Sequence, residues 1–279
     1  MGDTSSMAPP ASWSSERYHI RSVERALSIL QLFMTTEDEL SASEISRLLH
    51  LPQSTAFRLL VTLVASGFAE QNHENDKYRL GVSCLAVGSA FLTNSDLRQR
   101  AIPHLEQLRD KTGETVHLGV LDGFEVVYLD KLPGIHPIGL MSSKVGTHAP
   151  AHCTGLGKAL LAFLPEAGIE GYIQQALLER YTANTITDPV ELFLELSKIY
   201  ESGYSIDNQE HENGVACIAA PIFDHRGLAG AISVAGPAER ITAEAARNRL
   251  AQLVMQTASE ISAQLGATEI ASQRAVPAL

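Results

Sequence analysis

Positive charge is scarce in this chain. Its 279 residues hold 21 Lys and Arg against 32 Asp and Glu, a formal net charge of −11. A protein that coats nucleic acid regardless of sequence needs a basic surface, so that class is excluded. A small DNA-reading module on a larger acidic body is not. Cysteine is scarce too. Cys84, Cys153 and Cys217 stand far apart with no C-x-x-C spacing, which excludes a disulfide framework and suits reduced thiols in a cytosol. No apolar run approaches the ~18 residues of a membrane span. No charged-then-apolar leader is present, and Met1-Gly2-Asp3-Thr4-Ser5-Ser6 meets only a loose myristoylation pattern shared by many chains. The expectation is a cytoplasmic protein with no membrane partner. The hydrophobic share of 45% is ordinary for a globular protein and can supply a core to each of the two domains expected at this length.

The stretch Leu51–Leu63 organises the rest. Stepped at about 100° per residue, it puts Ala56, Leu59, Leu60, Leu63 and Val64 on one face. Ser54, Arg58, Val61 and Thr62 fall on the other, with Gln53 and Thr55 at its edges. Pro52 suits a first helical turn. Hydroxyls and a guanidinium on one face reach phosphates and base edges in a major groove. An ordinary amphipathic surface helix has the same look, and the neighbouring sequence decides between the two. A helix from Ser22 carries Val23, Ala26, Leu27, Leu30 and Phe33 on an apolar face. Ser41-Ala42-Ser43-Glu44 is a capping box that opens a second, short helix with Ile45, Leu48 and Leu49 inward. Two short helices joined this tightly, the second with a polar front, form a helix-turn-helix. Phe68–Asn72 and Lys77–Leu80 then pair as a hairpin across a polar turn, completing a winged helix with Lys77 and Arg79 on the wing. Residues 1–82 hold seven Lys and Arg against ten Asp and Glu. Binding therefore rests on placed cations and on two copies acting together.

Residues 83–112 read as a linker helix with a break near Ile102 and Pro103. Its apolar positions serve either a dimer seam or packing on its own domain. Beyond it, Asp122-Gly123 and Asp224-His225-Arg226-Gly227 mark two hairpins. Helices are expected around 157–163, 169–178, 190–202 and 242–265. Hairpins mixed with separate helices describe an antiparallel sheet covered by helices, an α+β domain. The expected divisions are a tail at 1–18, a winged helix at 19–82, the linker at 83–112, a sheet domain at 113–270 and a tail at 271–279.

Three groups of residues invite chemistry. His148–Ala159 resembles a phosphate loop, but His152 stands where its first glycine belongs and Ala159 where its magnesium-binding hydroxyl belongs, so nucleotide hydrolysis is rejected. A Gly-rich turn entering a helix remains. Its N–H groups either favour a small anion or its glycines simply permit close packing. His152-Cys153 and His211…Cys217 lack zinc spacing, and no metal or cofactor is expected. Asp207, Cys217 and Ser233 are small polar residues on or beside apolar strands. They either line a cavity, where a ligand partners them, or fill a satisfied core.

The ordered set of motifs resembles the IclR-type family of bacterial transcription regulators over about residues 20–265. It comprises Arg25-Ala26-Leu27, Leu51-Pro52-Gln53-Ser54-Thr55 with Arg58-Leu59-Leu60, Tyr78-Arg79-Leu80-Gly81, Ala151-His152 with Gly157-Lys158-Ala159, Thr185-Ile186-Thr187-Asp188-Pro189, Gly203-Tyr204-Ser205 with Asp207, Cys217–Asp224 and Gly230–Val234. The resemblance implies an α+β chain with an N-terminal winged helix-turn-helix, a linker helix and a C-terminal GAF-like antiparallel sheet domain. It also implies homodimers, often paired into tetramers, on palindromic double-stranded operators, and a small organic acid as effector. Gln53, Ser54, Thr55, Arg58, Thr62, Lys77 and Arg79 are the expected DNA contacts. Gly155, Leu156, Asp207, Cys217 and Ser233 match the family's effector pocket. Ala235 departs from it, standing where many acid-binding members carry a second serine. The leading expectation is thus a metabolite-responsive transcription factor without catalytic activity. The alternatives are a Cys-dependent enzyme with a helical appendage and a sensor that binds protein partners. Asp207 sits awkwardly beside an anion, because two carboxylates in a dry site repel. It fits if it accepts from a ligand hydroxyl or is protonated, so the expected effector is an acid with a further hydroxyl or ring.

Overall fold

The structure is a computed structural model that describes residues 19–36, 38–135 and 141–267. The two expected tails, 1–18 and 271–279, lie outside the described residues. The chain divides into two compact units, one within the first 91 residues and one from Leu92 onward.

The first unit holds α1 (Arg21–Thr35), α2 (Ala42–Leu48), α3 (Gln53–Ala65), β1 (Ala69–Asn72) and β2 (Lys77–Leu80). The Ser41 hydroxyl accepts from the Glu44 N–H while the Glu44 carboxylate accepts from the Ser41 N–H, so the capping box is closed in both directions. Pro52 stands at the N-cap of α3, one place before the first turn expected for it. Its carbonyl accepts from the N–H groups of Thr55 and Ala56. β1 and β2 pair antiparallel, and Leu40 adds a bridge to Tyr78 on the far side of β2. Ile29, Phe33, Ile45, Ala56, Leu60, Leu63 and Tyr78 close the core. Three sequence expectations shift here. Leu48, expected inward on α2, is 46% exposed. Positions 26, 29, 30 and 33 form the inward stripe of α1, so Ile29 is buried and Val23 and Leu27 are more than half exposed. Val64 also lies outward, at the end of α3 where the core runs out.

α4 (Val82–Asn94) buries no residue and carries no charge, although it is apolar along its length. α5 (Asp96–Thr112) follows after Ser95, whose hydroxyl caps it by accepting from the Arg98 N–H. The break in the expected linker is therefore at Ser95. α5 runs through Pro103, where a missing N–H removes a single helical bond. Ala101, Leu105 and Leu108 bury α5 in the core of the second unit.

That unit is built on a six-stranded antiparallel sheet in the order β5-β4-β3-β8-β7-β6. Its strands are β3 (Thr115–Asp122), β4 (Glu125–Leu132), β5 (His148–Pro150), β6 (Ser205–Asn208), β7 (Val215–Asp224) and β8 (Gly227–Pro237). The helices are α6 (Gly155–Leu161), α7 (Glu166–Gln175), α8 (Pro189–Ser202), α9 (Ala238–Thr242) and α10 (Glu244–Gln264). α10 is the helix expected from about 242 to 265, and the short α9 ahead of it, separated by Ala243, was not anticipated. Strand alternation sends Val116, Leu118, Ile218, Ile222, Ile232 and Val234 to one face, against α5 and α10. The other face packs Tyr128, Ala219 and Ala231 against α6 and α8 through Leu156, Leu160, Leu192 and Leu196. Because the period is two, the residues that alternate with this first set point to the second face. His117, Cys217, Ser233 and Ala235 are among them.

Candidate nucleic-acid interface and ligand cavity

α3 presents an exposed stripe of Gln53, Ser54, Phe57, Arg58, Val61 and Thr62, with Thr55 half-buried beside it. Arg58 is the only charged side chain on the helix, which contains no carboxylate. A duplex groove lined by phosphates meets no repulsion there. Thr55, Arg58 and Thr62 also line a groove against Val23, Leu27 and Leu30 of α1. The Thr62 hydroxyl donates to the Arg58 carbonyl at 2.9 Å, so its proton is already used and it meets DNA as an acceptor.

On the wing, Lys77 begins β2, and its N–H donates to Asn75. Arg79 is engaged otherwise. Its guanidinium lies 3.1 Å from Glu39 and 3.2 Å from Glu70. Glu39 also accepts from Asn72 and Asn75 at 2.9 Å, and these bonds, with the Arg79 charge, hold its carboxyl below the usual range. A phosphate reaching Arg79 competes with two carboxylates.

In the second unit the α6-facing side of the sheet lines a partly open cavity of about 40 Å³. Strand register places its walls. Asp207 on β6 pairs with Cys217 on β7, which pairs with Ala235 on β8; one row along, Ala219 pairs with Ser233, which pairs with His117 on β3. Tyr128, Gly155, Leu156, Met141, Ser143, His211 and Glu212 complete the lining. The expected group of Gly155, Leu156, Asp207, Cys217 and Ser233 is thus brought together on one cavity.

Asp207 is 5% exposed. Its Oδ1 accepts from the Glu210 N–H at 2.7 Å, closing the turn after β6, and its Oδ2 lies 4.0 Å from the Cys217 sulfur. Burial pushes its carboxyl up to about 7, against the pull of that hydrogen bond. His117 is pushed down to about 3 by burial and then by the Lys131 charge, so it stays neutral. One ring nitrogen faces the Ser143 hydroxyl at 3.0 Å and the other the Ser233 hydroxyl at 3.5 Å. The Cys217 and Cys153 thiols are both raised, by burial first and then by Asp207. Buried, protonated thiols are poor nucleophiles, which removes the ground for the Cys-dependent enzyme. No metal-ligating cluster of three His, Cys, Asp or Glu side chains occurs among the described residues.

α6 is short, and all of it is buried. A side chain at Gly155 would meet the Cys217 sulfur at 2.5 Å, and one at Gly157 the Ala151 backbone at 2.2 Å. Close packing therefore demands both glycines. The Gly155 N–H points at the Cys217 sulfur and the Gly157 N–H at the Thr154 hydroxyl. The turn holds fewer free donors for an anion than its sequence suggests.

Several hydrogen bonds tie the segment from Met141 to Gly146 over the cavity. Lys131 donates to the Ser143 carbonyl at 2.6 Å, His117 meets the Ser143 hydroxyl, and the Ser142 N–H donates to Glu212 Oε1 at 3.2 Å. The other Glu212 oxygen is buried and has no partner among the described residues. His117, Tyr128, Ser143 and Glu212 were not anticipated. His117 carried the same signal as Ser233, a polar residue in an apolar strand. Ser143 and Glu212 sit in loops, where nothing in the sequence marks them.

Residues 22–73 match the family model described as the IclR helix-turn-helix domain, and residues 89–263 match that of the bacterial transcriptional regulator IclR C-terminal domain. The chain belongs to the IclR family of bacterial transcription regulators. It is 38% identical over 257 residues to the HTH-type transcriptional regulator BhcR of Paracoccus denitrificans, covering 92% of this chain and 91% of that one. The Thermotoga maritima IclR structure matches with a TM-score of 0.70 at 35% identity, over 89% of this chain and all of its own. An IclR homologue from Microbacterium hydrocarbonoxydans, complexed with 4-hydroxybenzoate, matches with a TM-score of 0.76 at 28% identity, over 88% and 98%. As an IclR-type protein the chain is a DNA-binding transcription regulator and not an enzyme.

Proposed function

We propose that two copies of the chain bind a palindromic operator through α3, and that a small hydroxylated carboxylic acid in the sheet cavity tunes that binding. The DNA half rests on the exposed, carboxylate-free face of α3, with Arg58 as its sole cation. Gln53, Ser54, Thr55 and Thr62 support Arg58, and Lys77 reaches phosphate from the wing. One such module with few cations binds weakly, so two act together on two half-sites. The unburied apolar length of α4 is the surface that joins them. An apolar helix exposed all round is unstable without a partner.

The effector half rests on the cavity wall. Ser233, the neutral His117 and Ser143 offer hydrogen bonds to a carboxylate, while Asp207 Oδ2 and the unpartnered Glu212 oxygen want donors. An acid with an added hydroxyl meets both demands. The 4-hydroxybenzoate of the Microbacterium relative carries the same two functions on a larger frame. At roughly 10–15 Å³ per water, the cavity here holds about three waters or an equally small ligand. Despite the room left by Ala235, a ring enters only if the Met141–Gly146 segment moves.

Arg58→Ala tests the DNA assignment. The variant should fold as the parent does, since Arg58 is exposed, and lose about 1–3 kcal/mol of operator affinity if Arg58 reads a guanine. A gel shift at constant salt measures it, with an operator selected from random duplexes. Unchanged affinity removes α3 from the groove.

A further inference from the structure

The exposed face of α3 is not wholly polar. Phe57 is 53% exposed and Val61 is 50% exposed. They lie four residues apart, so on a helix their side chains adjoin and form one apolar strip. Ser54 and Arg58 flank it on the same surface. The unit's core does not claim either residue. It is closed from the opposite face of α3 by Ala56, Leu60 and Leu63. The α1–α3 groove does not claim them either, for its lining takes Thr55, Arg58, Leu59, Thr62 and Leu63 from α3 and passes over Phe57 and Val61.

The charge around the strip favours one kind of partner. α3 has a single cation and no carboxylate, whereas the wing keeps Glu39, Glu70 and Arg79 in mutual contact. A polyanion is accepted on α3 and offered little on the wing. Base edges in a major groove present one apolar group, the 5-methyl of thymine, and aromatic and small apolar side chains are its usual contacts.

We propose that Phe57, backed by Val61, selects a thymine in each operator half-site by packing on its 5-methyl group. Arg58, its chain neighbour, engages an adjacent base or phosphate. Phe57 is then a specificity residue that contributes through buried methyl surface and not through hydrogen bonds. Its share of affinity should survive a rise in salt that weakens the Arg58 contribution. This inference rests on the proposed docking of α3 in the groove.

The test removes the methyl group alone. An operator selected with the full-length chain is resynthesised with deoxyuridine replacing one thymine at a time, and affinities are measured by fluorescence anisotropy. At one thymine per half-site the parent should lose about four-fold, the equivalent of leaving one methyl group unburied. Phe57→Ala should lose at least as much on the thymine operator and nothing further on the deoxyuridine one. Phe57→Leu, which keeps an apolar side chain, should retain most of the methyl preference. Thermal unfolding matched to the parent shows that the exposed substitution leaves the fold intact. The proposal is overturned if no deoxyuridine position matters, or if parent and Phe57→Ala lose equally at each. Arg58→Ala run on the same operators separates the two readings. If it too is without effect, the groove docking itself fails. If it weakens binding while Phe57 and the methyl groups are inert, only the thymine contact fails.

Discussion

Replacing Lys158 by Ala should destabilise the effector domain by about 3–5 kcal/mol, the usual result of removing one partner of a buried ion pair. Lys158 has no solvent exposure, and its ammonium lies 2.5 Å from Glu210 and 3.6 Å from Glu195. Glu195 is 28% exposed and stays hydrated when the lysine is lost. Glu210 does not. Its carboxyl is already raised by burial against the pull of Lys158, and its second oxygen has no partner among the described residues. The double replacement Lys158→Met with Glu210→Gln removes both charges and should recover most of the loss. Urea denaturation of the parent and the two variants measures this. A single-variant loss below about 1 kcal/mol would mean that water reaches the pair. The pair also matters to the cavity, because it anchors α6 to the segment that carries His211 and Glu212. Lys158→Ala should therefore weaken ligand binding without touching the ligand.

Asp207 should make stability depend on pH in a direction opposite to that of a surface carboxylate. Its native carboxyl titrates at about 7, above the ordinary value of 3.8 it has when unfolded. Between those values the native state holds a proton that the unfolded state has released. Its contribution is complete below about pH 4 and is lost as pH rises through about 7, at up to about 1.4 kcal/mol per pH unit. Asp207→Asn keeps an oxygen for the Glu210 N–H and never ionises. It should match the parent only below about pH 4, already exceed it at pH 5, and exceed it above pH 7 by a few kcal/mol. Glu210, also raised by burial, adds a slope of the same sign to both proteins, so the difference between them isolates Asp207. Thermal or urea unfolding from pH 5 to 8 reads it, and parallel curves would show that Asp207 is solvated.

Much of this molecule could be read before it was seen, where local rules act alone. The Ser41–Glu44 box, the Asp122-Gly123 turn and the inward set Ala56, Leu60 and Leu63 depend on spacing, and the structure keeps them. Ser233 and Cys217 were legible because a small polar residue interrupts an apolar strand. His117 was equally legible and overlooked. What depends on distant partners was hidden. Which stripe of α1 turns inward is decided by the core it meets, so Ile29 replaces Leu27. Pro103 did not end α5, because tertiary burial of Ala101, Leu105 and Leu108 outweighs one missing bond. Arg79 looked free until Glu39, forty residues away, was seen beside it. Glu212 and Ser143 reach the cavity from loops with no periodicity to betray them. The cavity itself, lined from the sheet, α6 and loops, is a packing result that composition does not contain.

The central claim is that an acid in the sheet cavity controls operator affinity, and one titration tests it. Labelled operator is titrated with the full-length chain, by anisotropy, without and with millimolar lactate, glycerate or 4-hydroxybenzoate in turn. At least one hydroxy acid should change operator affinity about 5- to 150-fold, the usual range of such coupling. Ser233→Ala should bind the operator as the parent does without acid, and need roughly ten-fold more acid to respond, as loss of one buried hydrogen bond implies. Operator binding that ignores every acid, or a Ser233→Ala response identical to the parent's, would contradict the account.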